Sequence, residues 1–302
     1  MGRKYQPTAA QQAEAEARRS ELLGKLAEGV DKLVDSGEWQ RYLDCQSKFH
    51  HYSFNNCLLI LSQRPDATQV NSFKRWQELG RNVSKGESSI RIFAPSLRKQ
   101  EVETENGTEE VRKLSGFRLV PVFDISQTSG EELPEPAKLL GGEAPEGLFA
   151  KMTTVAQGCG FKVKLTPQIE GFGDANGVCR HDQKLIEVAT EGRGELQQVK
   201  TLAHEIGHAL LHNPNDQIGR NTRDLEAEST AYVVCASLGL DTSDYSLGYV
   251  ADWSGGDAEK TREAIKASGG RVHQASQKIL DGLELQAIKS EPEYDEPKLE
   301  VA

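Results

Sequence analysis

The sequence predicts an α+β chain of two domains: a small α+β domain, then a mainly helical domain with a small sheet. Three observations carry this. Helical and strand-like hydrophobic periods both occur, and Gly130 to Gly147, rich in proline, glycine and acids, separates them without a period of its own. The length, 302 residues, suits one large or two modest domains. The expected organisation is an N-terminal helix over 1–37, a first domain over 38–130, a linker over 131–145, a second domain over 146–285 and a disordered acidic tail over 286–302.

Residues Ala9 to about Val34 are rich in Ala, Glu, Gln, Arg and Leu, with Leu22, Leu23, Leu26, Val30 and Leu33 at helical spacing. From Trp39 the texture becomes aromatic and basic, and Asn55 to Ser62 reads as a helix ended by Arg64-Pro65, because proline keeps its predecessor out of helical geometry. Ser88 to Ala94 and Phe117 to Ile125 read as strands. Between them, Asn106-Gly107 in acidic surroundings signals a type I′ hairpin turn. The second domain is expected to open with a helix over Leu148 to Cys159 and a strand over Phe161 to Leu165. A hairpin whose second arm is Lys184 to Val188 comes next, followed by helices over Glu195 to Leu211, Arg223 to Leu238 and Ala258 to Leu285.

Composition narrows the function classes. The longest apolar run, Cys57 to Leu61, is far short of the roughly 18 residues a membrane span needs, which excludes a transmembrane helix. The first residues are charged and lack an apolar stretch, so no secretory signal is read there. Five cysteines without C-x-x-C spacing fit reduced thiols, and a cytoplasmic protein is the expectation.

The most informative string is Thr201-Leu202-Ala203-His204-Glu205-Ile206-Gly207-His208. His204 and His208, four apart, project from one helix face, with Glu205 beside them in reach of a water on a shared metal ion. Val199, Leu202, Ile206 and Leu210 form a core-facing stripe that independently supports the helix. Catalytic Zn2+ takes three protein ligands and leaves one position open. Glu228, 20 residues beyond His208, is read as the third ligand, at a separation similar to that of thermolysin-like peptidases, while Glu226 points about 200° away around its helix. Zinc there would acidify water and polarise a carbonyl, with Glu205 moving the proton to the leaving amine: amide hydrolysis. A purely structural zinc is the competing reading. His212 reads as a charge at the helix C-terminus, Tyr232 as either a zinc-facing or a core residue, and His181 as solvated in a turn. The strand after His181 is expected to offer an edge to an extended peptide.

The first domain has a different character. Between residues 38 and 99 ten basic residues stand against five acids, a net +5 within a chain of -10. Cations that track phosphates, interleaved with aromatic rings that stack bases, are what single-stranded nucleic acid requires, though the rings also suit a core and the cations a solvated face.

Tyr52-Ser53-Phe54-Asn55-Asn56-Cys57-Leu58-Leu59-Ile60-Leu61, Gln63 to Thr68, Trp76, Gly80-Arg81, Lys85-Gly86-Glu87, Ile90-Arg91-Ile92 and the closing Val122 to Thr128 resemble the N-terminal single-stranded-DNA-binding domain of ArdC-type antirestriction proteins. Residues 146 to 285 look like the zincin-like metallopeptidase domain of ArdC-type and ImmA/IrrE-type proteins, whose ligands fall on His204, His208 and Glu228 and whose catalytic glutamate falls on Glu205. The acidic hairpin and the long N-terminal helix have no counterpart in that resemblance. It implies a mobile-element or phage protein that binds single-stranded DNA, carries Zn2+, acts on a protein substrate and shields incoming DNA from restriction. The DNA-contact candidates it suggests are Lys48, Tyr52, Asn55, Arg64, Trp76, Arg81, Lys85 and Arg91. Two alternatives are a DNA-binding protein with a structural zinc, and a DNA-recruited protease cleaving a repressor or a DNA-bound protein.

Overall fold

The structure, a computed structural model, describes residues 8–104, 107–133, 144–242, 245 and 258–290. It is mixed α and β. The described residues divide into two compact units, 8–133 with 258–266, and 144–242 with Tyr245 and 267–290.

In the first unit, α1 (Ala9–Lys32) and α2 (Ser36–Lys48) precede α3 (Phe54–Gln63), β1 (Val70–Asn71), α4 (Phe73–Glu78), β2 (Arg81–Val83), β3 (Ile90–Thr104), β4 (Gly107–Asp124) and β5 (Thr128–Gly130). Leu22, Leu26, Val30 and Leu33 are buried, whereas Leu23 is exposed, so the helical period of α1 selects one core-facing stripe. The aromatic stretch after residue 38 turns out to be helical. Asp35 caps α2 by accepting from Gly37 N at 2.8 Å, and Trp39, Tyr42 and Leu43 are buried along one face.

β3 and β4 pair antiparallel from Ile90↔Val122 to Thr104↔Gly107, with a bulge at Ser96/Leu97, and β1 adds to β4 on the other side. The strands are thus much longer than the hydrophobic runs predict, because backbone pairing continues through the polar residues beyond Leu97. The hairpin is present; its turn residues 105 and 106 lie outside the described residues.

The open edge of β3 is met by side chains of α3. Asn56 accepts from Phe93 N and donates to Phe93 O, both at 2.9 Å. Two turns on, Gln63 accepts from Arg91 N at 3.0 Å and donates to Arg91 O at 2.9 Å. The two amides therefore act as a missing strand and satisfy groups that burial would otherwise leave unpaired.

A second tie closes this unit. Buried Asp124 accepts from Thr68 N (2.8 Å) and Gln69 N (3.1 Å) with one oxygen, and from Ser126 N (3.0 Å) and its hydroxyl (2.6 Å) with the other. Gln127 returns the cap by accepting from Asp124 N at 2.9 Å and donates to Ser88 O at 2.7 Å.

The second unit holds α5 (Leu148–Gly158), β6 (Lys162–Thr166), β7 (Gly177–Arg180), β8 (Leu185–Ala189), α6 (Glu195–Leu211) and α7 (Arg220–Ser237); α8 (Ala258–Ser290) contributes residues 267–290 here and 258–266 to the first unit. β8 is central, parallel to β6 and antiparallel to β7. The expectation that β8 offers a free edge is therefore corrected: both its edges are occupied, and the edge strands are β6 and β7. Met152, Ile186, Val188, Val199, Leu202, Ile206, Val234 and Ile279 build one core. Residues 286–290, expected in the tail, continue α8; 291–302 and most of the expected linker lie outside the described residues.

Burial works to raise the Asp124 pKa, but the hydroxyl and backbone donors from Ser126, Thr68 and Gln69 outweigh it and hold the carboxyl below its usual value. Asp124→Ala should cost about 2–4 kcal/mol at neutral pH. Because the folded pKa is the lower one, the ionic part of this stabilisation is present above the unfolded value near ~4 and is lost as pH falls below it. Urea unfolding should show the gap between wild type and variant narrowing below about pH 4; a gap of constant size would contradict this role.

Candidate metal centre

The histidine pair lies on α6, where His204 and His208 share a face as their spacing requires. α7 reaches them because Gly207 leaves room: a Cβ there would stand 3.2 Å from the Ala227 backbone. This close crossing sets Glu228, the residue after Ala227, beside His204, whose Nδ1 is 2.8 Å from Glu228 Oε2. His204 Nε2 faces His208 Nε2 at 3.0 Å. Asp224, one turn earlier on α7, is 3.9 Å from His208 Nε2.

His204 therefore stands between its two partners, with the Cε1 edge of the ring toward the gap that separates them. Two imidazoles and a carboxylate come together at this crossing, a donor set that suits zinc and other divalent ions.

Glu205 is buried, and burial pushes its carboxyl up to about 7 against the opposing pull of His204. A backbone donor from Cys179 on β7 also holds it. β7 passes so near that a Cβ on Gly177 would stand 2.9 Å from Glu205. For His208, burial together with the neighbouring His204 and His212 lowers the pKa to about 3, which keeps the ring neutral. His204 goes the other way: burial lowers it, but Glu228, Glu205 and Asp224 prevail and leave it raised.

Behind His208 lies a buried polar chain that spacing did not reveal. His208 Nδ1 is 2.8 Å from His212 Nδ1, and His212 Nε2 is 3.2 Å from Glu226 Oε2. His212, expected to act at the helix C-terminus through its charge, is only 3% exposed and serves as an internal hydrogen-bonding group. Glu226 does point away from the histidine pair, but into the core, where it is 0% exposed and bonded to Ser268 and Arg271. Tyr232 is a core residue, 7% exposed, with its ring edge-on to Tyr245. His181 is half-buried against Phe161 rather than solvated, and burial lowers its pKa first of all.

The centre opens into a cleft of about 490 Å³ lined by Asn176, Gly177, Gln197, Lys200, Thr201, His204, Glu205, Glu228 and Tyr245. The contribution of Lys200 and Tyr245 was not legible: Lys200 lies one turn before His204 on α6, and Tyr245 belongs to no motif.

The DNA-contact candidates of the first unit separate into two groups. Lys48, Asn55 and Lys85 are exposed, and Arg91 is half-buried. Trp76 is fully buried and donates Nε1–H to Phe123 O at 2.8 Å, so it fills the core and cannot stack on a base. Tyr52 donates to Val70 O at 3.0 Å. Arg81 is committed to Thr128, with Nε 2.8 Å from its hydroxyl and Nη2 3.1 Å from its carbonyl, and Arg64 reaches Ser126 Oγ at 3.1 Å. These side chains hold the domain together.

Residues 14–123 match the family described as the N-terminal domain of anti-restriction factor ArdC. The match takes in most of α1 and all of α2, so the N-terminal helix that the sequence resemblance left unmatched belongs to that domain. An uncharacterized protein of Bacillus anthracis is 28% identical over 321 residues, covering 93% of this chain and 54% of that protein, so the chain spans about half the length of the curated relative it matches. The ArdC antirestriction protein from the R388 plasmid, in its metal-free crystal structure, is 19% identical over 76% of this chain and 85% of its own, with a TM-score of 0.48. Its Mn(II)-bound structure is 18% identical over 85% of this chain and 97% of its own, with a TM-score of 0.52, which shows a shared fold. Residues 14–123 thus carry an ArdC-type N-terminal domain by sequence, and the chain shares its fold with the R388 ArdC protein.

Proposed function

We propose that this protein binds single-stranded DNA through its first unit, holds one zinc ion on His204, His208 and Glu228, and hydrolyses an amide bond of a protein substrate with Glu205 as general base. On this reading the second unit is a zincin-like peptidase domain of the ImmA/IrrE kind, and the whole shields incoming DNA of a mobile element or phage from restriction. The carrying observation is that the two motif histidines and Glu228 meet across the α6–α7 crossing, with buried Glu205 beside them at an open cleft. A purely structural zinc is closed off by protein ligands, so the cleft supports catalysis over that alternative. The divalent ion in the R388 protein's Mn(II)-bound structure supports a metal here as well.

A bound divalent ion supplies Lewis acidity toward water and toward a scissile carbonyl. Glu205, with its carboxyl near neutrality, takes a proton from that water and returns it to the leaving amine. β7, an edge strand that also lines the cleft wall through Gly177, offers backbone groups to an extended peptide.

Among the described residues of the first unit, Phe73 and Phe117 are large exposed apolar rings, whereas Trp76 is buried. Phe117 lies on the β3–β4 ribbon beside exposed Arg118, with exposed Leu97, Leu114, Arg98, Lys99 and Lys113 near it in register. A ring and cations on one ribbon offer a single strand both stacking and phosphate tracking.

Metal analysis should find about one zinc per chain in wild type and in Glu205→Gln and Asp224→Ala, and strongly reduced zinc in His204→Ala and Glu228→Ala. Equal zinc in Glu228→Ala would overturn the ligand set. Fluorescence anisotropy should show tighter binding to single strands than to duplex, weakening steeply with salt, and Phe117→Ala should lose roughly 5- to 150-fold in affinity. No binding at low salt would remove the DNA reading.

A further inference from the structure

The chain from His208 through His212 to Glu226 assigns protons as well as positions. Glu226 is 0% exposed and receives Ser268 Oγ on Oε1 and Arg271 Nε on Oε2 at 3.0 Å, with the guanidinium also reaching Oε1. Arginine keeps its proton, and a carboxylate bound this way only accepts. His212 Nε2, 3.2 Å from Glu226 Oε2, is therefore the donor of that contact. If the His212 ring carries this one proton alone, its Nδ1 holds a lone pair, and the 2.8 Å contact to His208 Nδ1 is made by donation from His208. His208 is thereby left with its lone pair on Nε2, the nitrogen that faces His204.

We propose that His212, oriented by Glu226, is a positioning residue that fixes His208 as the Nδ1–H tautomer and so presents Nε2 to the metal. The consequence for metal binding rests on the metal reading above; the tautomer itself does not. A histidine ligand usually donates its second ring nitrogen to a carboxylate, carbonyl or water; here a second imidazole relays that contact to a carboxylate one residue further back. The anchor comes from α8, through Ser268 and Arg271, so α6, α7 and α8 all contribute to the orientation of one ring.

The test uses the full chain with ¹⁵N-labelled histidine, metal-free, and reads the His208 tautomer from long-range ¹H–¹⁵N correlations in wild type, His212→Ala and His212→Asn, the last keeping an acceptor oxygen. Zinc affinity is then measured by chelator competition on the same samples. Wild type should show a protonated Nδ1 and a bare Nε2. His212→Ala should shift toward the Nε2–H form that free imidazole side chains favour and lose about 10–100-fold in zinc affinity, with His212→Asn recovering part of both. An Nε2–H His208 in wild type overturns the proposal, and so does His212→Ala with tautomer and affinity unchanged. If His212→Ala does not fold, the wild-type tautomer and the His212→Asn pair decide. Wild type with the assigned tautomer but no zinc binding supports the relay and fails the metal reading instead.

Discussion

A carboxylate with no solvent access governs the arrangement of the second unit. An isolated buried charge costs several kcal/mol, so Glu226 is tolerable only while Arg271, Ser268 and His212 all reach it. Burial alone would push this carboxyl up, yet those partners hold it down to about 2. Meeting that demand fixes α8 against α7 and draws the end of α6 in through His212. The close approach of α6 and α7 at Gly207 and Ala227 follows the same geometry, and it places Glu228 beside His204. The candidate metal ligands on the cleft side and charge burial on the core side are therefore two faces of one helix pair, with Glu228 and Glu226 on opposite sides of α7.

The first unit distributes its polar residues differently. Arg81, Tyr52 and Trp76 have the composition of a nucleic-acid surface, but each donates to a backbone or hydroxyl oxygen of its own domain. Asn56 and Gln63 complete the edge of β3, and Asp124 ties the start of β1 to the end of β4. A sheet this small lacks neighbours for its edges, and side chains supply them. What remains for a ligand is the solvated part: the exposed cations and the exposed rings on α4 and the ribbon.

How far the sequence could be read depends on the range of the interactions involved. The α6 helix, its stripe of Val199, Leu202 and Ile206, and the meeting of its histidines with Glu228 follow from local periodicity and one spacing, and they were legible. Glu226 and His212 were read as peripheral because their partners lie in α8, 45 residues beyond Glu226 in the case of Arg271, and no pattern links them. The length of β3 and β4 was missed because cross-strand pairing, not hydrophobic alternation, carries the polar half of the ribbon. β8 was taken for an edge because a parallel partner, β6, lies before the hairpin in sequence. In the aromatic stretch, composition could not separate Trp76, which the core absorbs, from Phe73, which it leaves outside.

Anomalous diffraction from zinc-loaded crystals tests the central claim most directly. The account predicts one strong peak contacted by His204 Nε2, His208 Nε2 and a Glu228 oxygen, with Glu205 near but not bound and His212 on the far side of His208. A peak that excludes Glu228, takes Glu205 as a ligand or lies away from α6 would contradict it.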